Sequence, residues 1–206
     1  MAELRVPPGR AGRMRLRRSL DTALRGADLL DRKLRILRAR HAELLAAERA
    51  ARGNWYARLA EAETWLRRGL LLSGEEALAD LARTRPARLE IVWTATMGVR
   101  HPRTASCEIP GRDPDRPAPA NSALVLAETA WAEAVRAAAA YAAARAAARA
   151  VGAEAARTRQ RVRALRRHWI PRLEAALDRA DTALEQAEHE DAVRRRWAAR
   201  RTGQGA

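Results

Sequence analysis

The sequence predicts a mainly α fold: a long antiparallel two-helix coiled coil with a small insert made of a short helix and a β-hairpin. Three observations carry that reading. Two long stretches rich in Ala, Leu, Arg and Glu, residues 10–72 and 122–201, are built from strong helix formers. Each shows apolar residues at steps of three and four, the stripe of a helix that packs on a partner helix. Between them, residues 73–121 gather Gly, Pro and a strand-like alternation. At 1.5 Å per residue the two helices would run about 95 Å and about 120 Å, too long to fold up inside a globule. Each must cover its stripe with the other or with a partner, so the expected object is a rod.

Pro7, Pro8, Gly9 and Gly12 delay the first helix. Its seam runs Leu16, Leu20, Leu24, Ala27, Leu30, Leu34, Leu37, His41 and Leu44. Glu48 falls on the seam, and the stripe resumes at Trp55, Leu59, Ala62 and Leu66, the shift of a stutter. Gly26 costs about 1 kcal/mol of helix propensity against Ala, which points to a close backbone approach there.

Ser73-Gly74-Glu75-Glu76 fits a capping box and predicts a short helix ending before Pro86. Leu89, Ile91, Trp93, Ala95 and Met97 then alternate with more polar neighbours, the period of a half-buried strand. Gly98 through Pro102 supplies turn chemistry, and Thr104–Ile109 alternates again, which makes a hairpin. Pro110–Asn121, with four prolines and a glycine, is a loop. Asn121 or Ser122 caps the second helix. Its seam runs Leu124, Ala127, Trp131, Ala134, Ala138, Tyr141, Ala148, Val151, Ala155, Val162, Leu165, Trp169, Leu173, Ala176, Ala180, Leu184 and Ala187. Pro171 lies inside this pattern, where a missing donor and a crowded preceding turn predict a kink.

The formal charge is +15, and Lys33 is the only lysine. Residues 1–40 carry 12 basic and 4 acidic side chains, and residues 157–201 carry 13 and 7. An antiparallel pairing sets these two regions side by side, so the terminal end is the strongly basic one. Such charge raises a binding role toward nucleic acid or an anionic membrane surface as the alternative function. Recognised nucleic-acid motifs and interleaved aromatic platforms are missing, so the sequence predicts no nucleic-acid partner. No run of about 18 apolar residues exists, so no direct membrane insertion is expected. The N-terminus does not read as a signal peptide, and Cys107 stands alone, which fits a reducing, cytoplasmic setting.

Enzymatic signals are nearly absent: no phosphate-binding glycine loop, zinc-protease motif or nucleophile elbow occurs. No cofactor or metal is therefore predicted. His189, beside Glu185, Glu188 and Glu190, reads as a solvated face, His41 as a packed histidine and Cys107 as an inert thiol. The strongest polar features are the arginine clusters Arg13, Arg15, Arg17, Arg18 and Arg161, Arg163, Arg166, Arg167. They read as a solvated helix exterior or as contacts to acidic protein loops.

Four short motifs, in order, resemble a known family: the D subunit, the central-stalk rotor subunit of V/A-type ATPases and ATP synthases. Pro8-Gly9-Arg10 with Leu16 resembles its P-T-R entry to the first helix. Ala23 through Lys33 resembles A-x-x-G-x-x-L-L-K-x-K-R-D, with Gly26, Leu29, Leu30 and Lys33 matching and Asp31, Leu34 and Arg35 departing. Met97-Gly98-Val99-Arg100-His101-Pro102 resembles M-G-V-R-V-P. Arg161-Val162-Arg163-Ala164-Leu165, then Ile170-Pro171-Arg172-Leu173, resembles R-V-N-A-L-E…I-P-x-L, with Arg163 for Asn and Arg166 for Glu. The resemblance implies a non-catalytic shaft that couples ATP synthesis or hydrolysis to ion transport, with protons as the expected ion, in a complex peripheral to the membrane. Its partners would be the A and B subunits of the catalytic hexamer, the small F subunit of the stalk and the C subunit that adapts the shaft to the membrane ring. Arg10, Arg13, Arg17, Lys33, Arg161, Arg163 and Arg167 are the candidate hexamer contacts. Trp93, Met97, Gly98, Val99 and Arg100 are the candidate stalk-partner contacts, and Pro171 the candidate kink.

Overall fold

In the computed structural model, residues 9–78, 85–112 and 118–203 are described. Helix α1 spans Arg10–Ser73 and is followed by a 3₁₀ turn, Glu75–Leu78. Strands β1 (Arg88–Thr96) and β2 (Val99–Glu108) pair antiparallel. Helix α2 covers Ser122–Ala164, a π turn occupies Leu165–Trp169, and α3 runs Ile170–Gly203. The fold is the expected long helix pair with a small hairpin. The chain divides into two compact units, one of Met1–Leu34 with Arg157–Ala206 and one of Arg35–Ala156.

In the first unit, Leu16, Ala23 and Ala27 of α1 pack on Ile170, Leu173 and Ala176 of α3. The order of these contacts is antiparallel, because Arg13 pairs with Asp181 while Asp31 pairs with Arg166. Ala187, expected at the end of the second seam, is exposed, and two other seam assignments shift by one residue. Leu24 is 42% exposed, and its neighbour Ala23, at 8%, takes the core position. Trp169 is 39% exposed, and Ile170, at 8%, replaces it.

The second shift has a visible cause. The Ile170 amide donates to the Leu165 carbonyl, five residues back, instead of the usual four. One extra residue in that turn moves the inward-facing position one residue further along the chain. The seam therefore steps from Leu165 to Ile170 and then regains Leu173 and Ala176. Pro171, which has no amide to donate, sits just beyond this wide turn.

The second unit is also antiparallel, as three cross-helix contacts show in order: His41 with Gly152, Trp55 with Tyr141, and Gly69 with Leu124. Its core is small: Ala62, Ala134, Ala147, Ala148 and Val151 are buried with Leu37, Leu44 and Leu124. Trp55 stacks on Tyr141 with ring centroids 5.4 Å apart, filling the helix interface where alanine alone would leave a gap.

The end of α1 corrects the capping-box expectation. Ser73 is the last residue of the helix, and Gly74, at φ +73°, stops it in the left-handed conformation that glycine adopts without strain. A single 3₁₀ turn comes next, and residues 79–84, over which the short helix is expected to continue, lie outside the described residues. Asn121 caps α2 as expected, its Oδ1 accepting from the Leu124 amide at 2.9 Å. The same side chain does more. Its Nδ2 donates to the Gly69 carbonyl at 2.9 Å and to Ser73 Oγ at 2.5 Å, tying the start of α2 to the end of α1.

The hairpin turn is tighter than expected. Met97 (φ 50°) and Gly98 (φ 83°) are its only central residues, with Thr96 paired to Val99. Positive φ at both positions is the type I′ geometry that matches strand twist. His101 and Pro102, expected in the turn, lie in β2, and the register slips between Val92 and Trp93 so that Arg103 is bulged.

Close approach also falls elsewhere than expected. A Cβ on Gly26 would meet nothing within 4 Å, whereas one on Gly69 would lie 2.5 Å from Leu124 Cδ2 and 2.7 Å from its Cγ. Gly69→Ala is thus expected to cost about 1–3 kcal/mol through overpacking, outweighing its propensity gain. Gly26→Ala is expected to stabilise by roughly 0.5–1 kcal/mol. Opposite shifts in thermal midpoint check the pair.

Thr158 is 1% exposed, and its hydroxyl finds no hydrogen-bond partner among the described residues. Removing an unsatisfied buried hydroxyl while keeping its shape gains roughly 1 kcal/mol. Thr158→Val is expected to raise the midpoint in urea with an unchanged denaturant slope.

Candidate functional site

The basic end of the chain is the first candidate surface, and the structure sorts its cations into two groups. Arg10 reaches Glu188 at 2.7 Å, and Arg13 bridges to Asp181. Arg166, inside the π turn, reaches Asp28 at 3.3 Å and bridges Asp31 as well. These four contacts all join α1 to the chain beyond α2. Lys33 is half-buried and also engaged. Arg17, Arg161, Arg163 and Arg167 are exposed with no described intrachain partner. Of the seven predicted hexamer contacts, three are thus held by the chain's own groups and four face outward.

The charge concentration explains why the pairing is incomplete. Residues 157–173 hold seven arginines and no acidic residue, while the facing stretch 22–34 offers only Asp28 and Asp31. Arg166 takes both. Arg161, Arg163 and Arg167 are left without a described partner, so this surface carries a strong positive potential.

Asp31 and Arg166 are separate departures from the motifs that the sequence resembles. In the structure they meet as one cross-helix ion pair. Sequence spacing alone does not reveal it, since the two residues lie 135 positions apart and their juxtaposition depends on the antiparallel register.

At the end of the helix pair, the Arg10 guanidinium holds the Glu188 carboxyl below its ordinary value, chiefly by hydrogen bonding and then by charge. Arg10 is raised in turn by the same contact. A depressed carboxyl favours the folded chain above the ordinary glutamate range, and that contribution disappears as pH falls through the folded-state value.

The hairpin is the second candidate surface. Leu89, Ile91, Trp93 and Ala95 share one face of β1, as their alternation predicts. The expected half-burial is absent: Leu89, Ile91 and Trp93 are exposed, Trp93 by 48%, and Met97 at the turn is exposed too. Arg100, opposite Ala95, lays its guanidinium 4.9 Å from the Trp93 ring centroid. Gly98 forms the turn and Val99 opens β2, half-buried.

The other face holds His101, fully buried. Its Nδ1 contacts the Pro102 carbonyl at 2.9 Å, and that oxygen can only accept, so Nδ1 carries the hydrogen. In the neutral ring Nε2 then accepts from the Thr96 hydroxyl at 3.0 Å. This histidine fastens the turn to β2, a role that the sequence reading, which places it in turn chemistry, misses.

Among the described residues no three His, Cys, Asp or Glu side chains gather in a metal-binding group, and no helix is long and apolar enough to cross a membrane. Cys107 is half-buried opposite Leu89, and His189 lies on the exposed surface of α3.

A long helix pair with a basic end and a hairpin exposed on one face defines a class of helical chain that leaves apolar and charged side chains at its surface. Comparison with known proteins makes the class particular. Residues 13–200 match the family described as the D subunit of ATP synthase, and the chain belongs to that family. It is 32% identical over 203 residues to a V-type ATP synthase D subunit of Anaeromyxobacter sp. (strain Fw109-5), covering 96% of this chain and 94% of that one. A V-type ATP synthase D subunit of Thermotoga neapolitana is 25% identical over 191 residues, covering 92% and 94%.

The Asp31–Arg166 contact is testable by charge exchange. Arg166→Glu is expected to lower stability by about 1 kcal/mol, since exposed pairs are worth little and a third carboxylate adds repulsion. Asp31→Arg combined with Arg166→Glu is expected to recover most of that loss. Both shifts should shrink in 1 M salt, where the screening length is about 3 Å.

Proposed function

We propose that this chain is the central rotor of a V-type ATPase or ATP synthase, turning inside a hexamer of A and B subunits and coupling ATP synthesis or hydrolysis to ion transport. The observation that carries this reading is the family match over residues 13–200, on a chain whose described residues form a helix pair with an uncovered hairpin. The chain itself is non-catalytic in this reading. Its contribution is mechanical: an asymmetric stiff element offers a different side to each surrounding subunit and biases each toward a different conformation.

The outward arginines Arg17, Arg161, Arg163 and Arg167 meet acidic or apolar groups on the inner surface of the hexamer. Exposed ion pairs of this kind are typically under about 1 kcal/mol each, weak enough to break and re-form as the rotor turns. Arg10, Arg13 and Lys33, assigned to the same contact from sequence, have intrachain partners and serve the hexamer surface less directly. The hairpin, through Trp93, Met97, Gly98, Val99 and Arg100, contacts the small F subunit of the stalk, and this end of the chain meets the membrane-ring adaptor, the C subunit. Pro171 and its π turn supply a bend that adds eccentricity to rotation. The complex places the chain at the cytoplasmic side of a membrane without inserting it.

Reconstitution tests the reading. A hexamer of A and B subunits assembled with this chain is expected to show ATP-driven rotation, and the isolated chain none of the hydrolysis. Replacing Arg161, Arg163 and Arg167 together by Glu is expected to weaken hexamer binding at least tenfold at low salt while leaving the helical circular dichroism intact. Binding that stays unchanged would remove these arginines from the contact. A hexamer that rotates equally well without the chain would remove the rotor assignment.

A further inference from the structure

The two edges of the β1–β2 ribbon differ. The β2 edge is blunted in the ways that natural sheets use against pairing: Pro102 offers no amide, and the bulge at Arg103 breaks the ladder. The β1 edge has no such protection. Its stretch Ile91–Thr96 contains neither charge nor proline. On one face it presents Ile91 and Trp93 to solvent, an apolar alternation that is exposed in this chain.

An edge that no other strand pairs with among the described residues, beside an exposed apolar face, is a template for one more strand. The identity of that strand follows from charge. Arg100 sits beside Trp93 on the apolar face and pairs with no carboxylate among the described residues. Each copy of the chain carries +15, which opposes a second copy at this edge. Tryptophan and arginine are also among the residues most enriched at the energetic centres of interfaces.

We propose that the β1 edge over Ile91–Thr96 accepts an extended, carboxylate-bearing strand from a stalk partner, forming a three-stranded sheet in which an apolar side chain covers Trp93 and an acidic one meets Arg100. This rests on the reading of the hairpin as the contact for the small stalk protein. It adds how that contact is made: through backbone pairing rather than through side chains alone.

Residue-resolved hydrogen exchange on the full chain, alone and with the recombinant F subunit of the same complex, tests it. Every second amide within Ile91–Thr96 is expected to slow at least tenfold in the complex, while amides of Arg103–Glu108 keep their rates. Arg100→Glu is expected to weaken the complex at least tenfold with unchanged helix content. A complex that forms, and is lost on deleting 88–108, yet leaves the β1 amides unchanged overturns strand addition but keeps the hairpin contact. A complex indifferent to that deletion overturns both. An Arg100→Glu chain that binds at full strength overturns the acidic partner, as does protection of the same amides by self-association of the chain alone, read by light scattering.

Discussion

The structure depends on two narrow apolar seams that only a facing helix can dry. Most of the buried hydrophobic residues are alanine, whose methyl group contributes little area, so stability has to come from how closely the backbones approach rather than from side-chain bulk. Glycine sets the limit of that approach at two places. Leu124 fills the space at Gly69, and the His41 ring lies over Gly152, where an added Cβ would sit 2.6 Å from Nε2. Each is a hole on one helix occupied by a side chain of the other. A slip of register would leave both holes empty and both side chains without a seat, so the same contacts that bring the helices together also fix their alignment.

Register also accounts for the proline. A proline in the interior of a helix removes a donor and crowds the carbonyl four residues earlier. Here the chain widens into a π turn just before it, so the Ile170 amide still finds an acceptor in Leu165. The extra residue has a cost and a use. It expels Trp169 from the seam, where Arg172 now lies 6.0 Å from its ring, and it brings Ile170 in. It also sets Arg166 where both Asp28 and Asp31 can be reached. The wide turn is thereby fastened to α1 at its first residues, while its exposed side keeps Arg167 and Trp169 outward.

Much of this is legible in the sequence because helix and strand periods are local properties. The two helices, the hairpin, the apolar face of β1 and the Asn121 cap all follow from spacing within a few residues. The features that escape depend on three-dimensional register. Leu24 and Ala23 differ by one position, and only the facing helix decides which points inward. The departure of Trp169 needs the π turn, which has no sequence period of its own. Gly26 looks like a point of close approach, but the glycines that need their missing side chain are Gly69 and Gly152. The positive-φ turn at Met97-Gly98 is obscured by Pro102, which reads as turn chemistry although it sits in an edge strand beside a bulge. Of the candidate contact arginines, sequence can name the clusters but not divide them, because the division is made by carboxylates more than 130 residues away.

The same division governs the charge that faces outward. Ion pairs as exposed as Arg10–Glu188 and Arg166–Asp28 add little stability, and their value lies in being satisfied in one register only, since a slip would set arginine against arginine in so basic a stretch. The two acidic residues of α1 that face the π turn, Asp28 and Asp31, both go to Arg166. Every other guanidinium on residues 157–173 that lacks a described partner is left with its charge directed outward, at fixed positions on a helix whose alignment the paired ones maintain. Internal pairing and external contact are therefore not competing uses of the same arginines. The pairs at Arg10, Arg13 and Arg166 determine where Arg161, Arg163 and Arg167 point, and in the rotor reading it is this fixed, uneven distribution of charge around the helix pair that each member of a surrounding hexamer would meet differently.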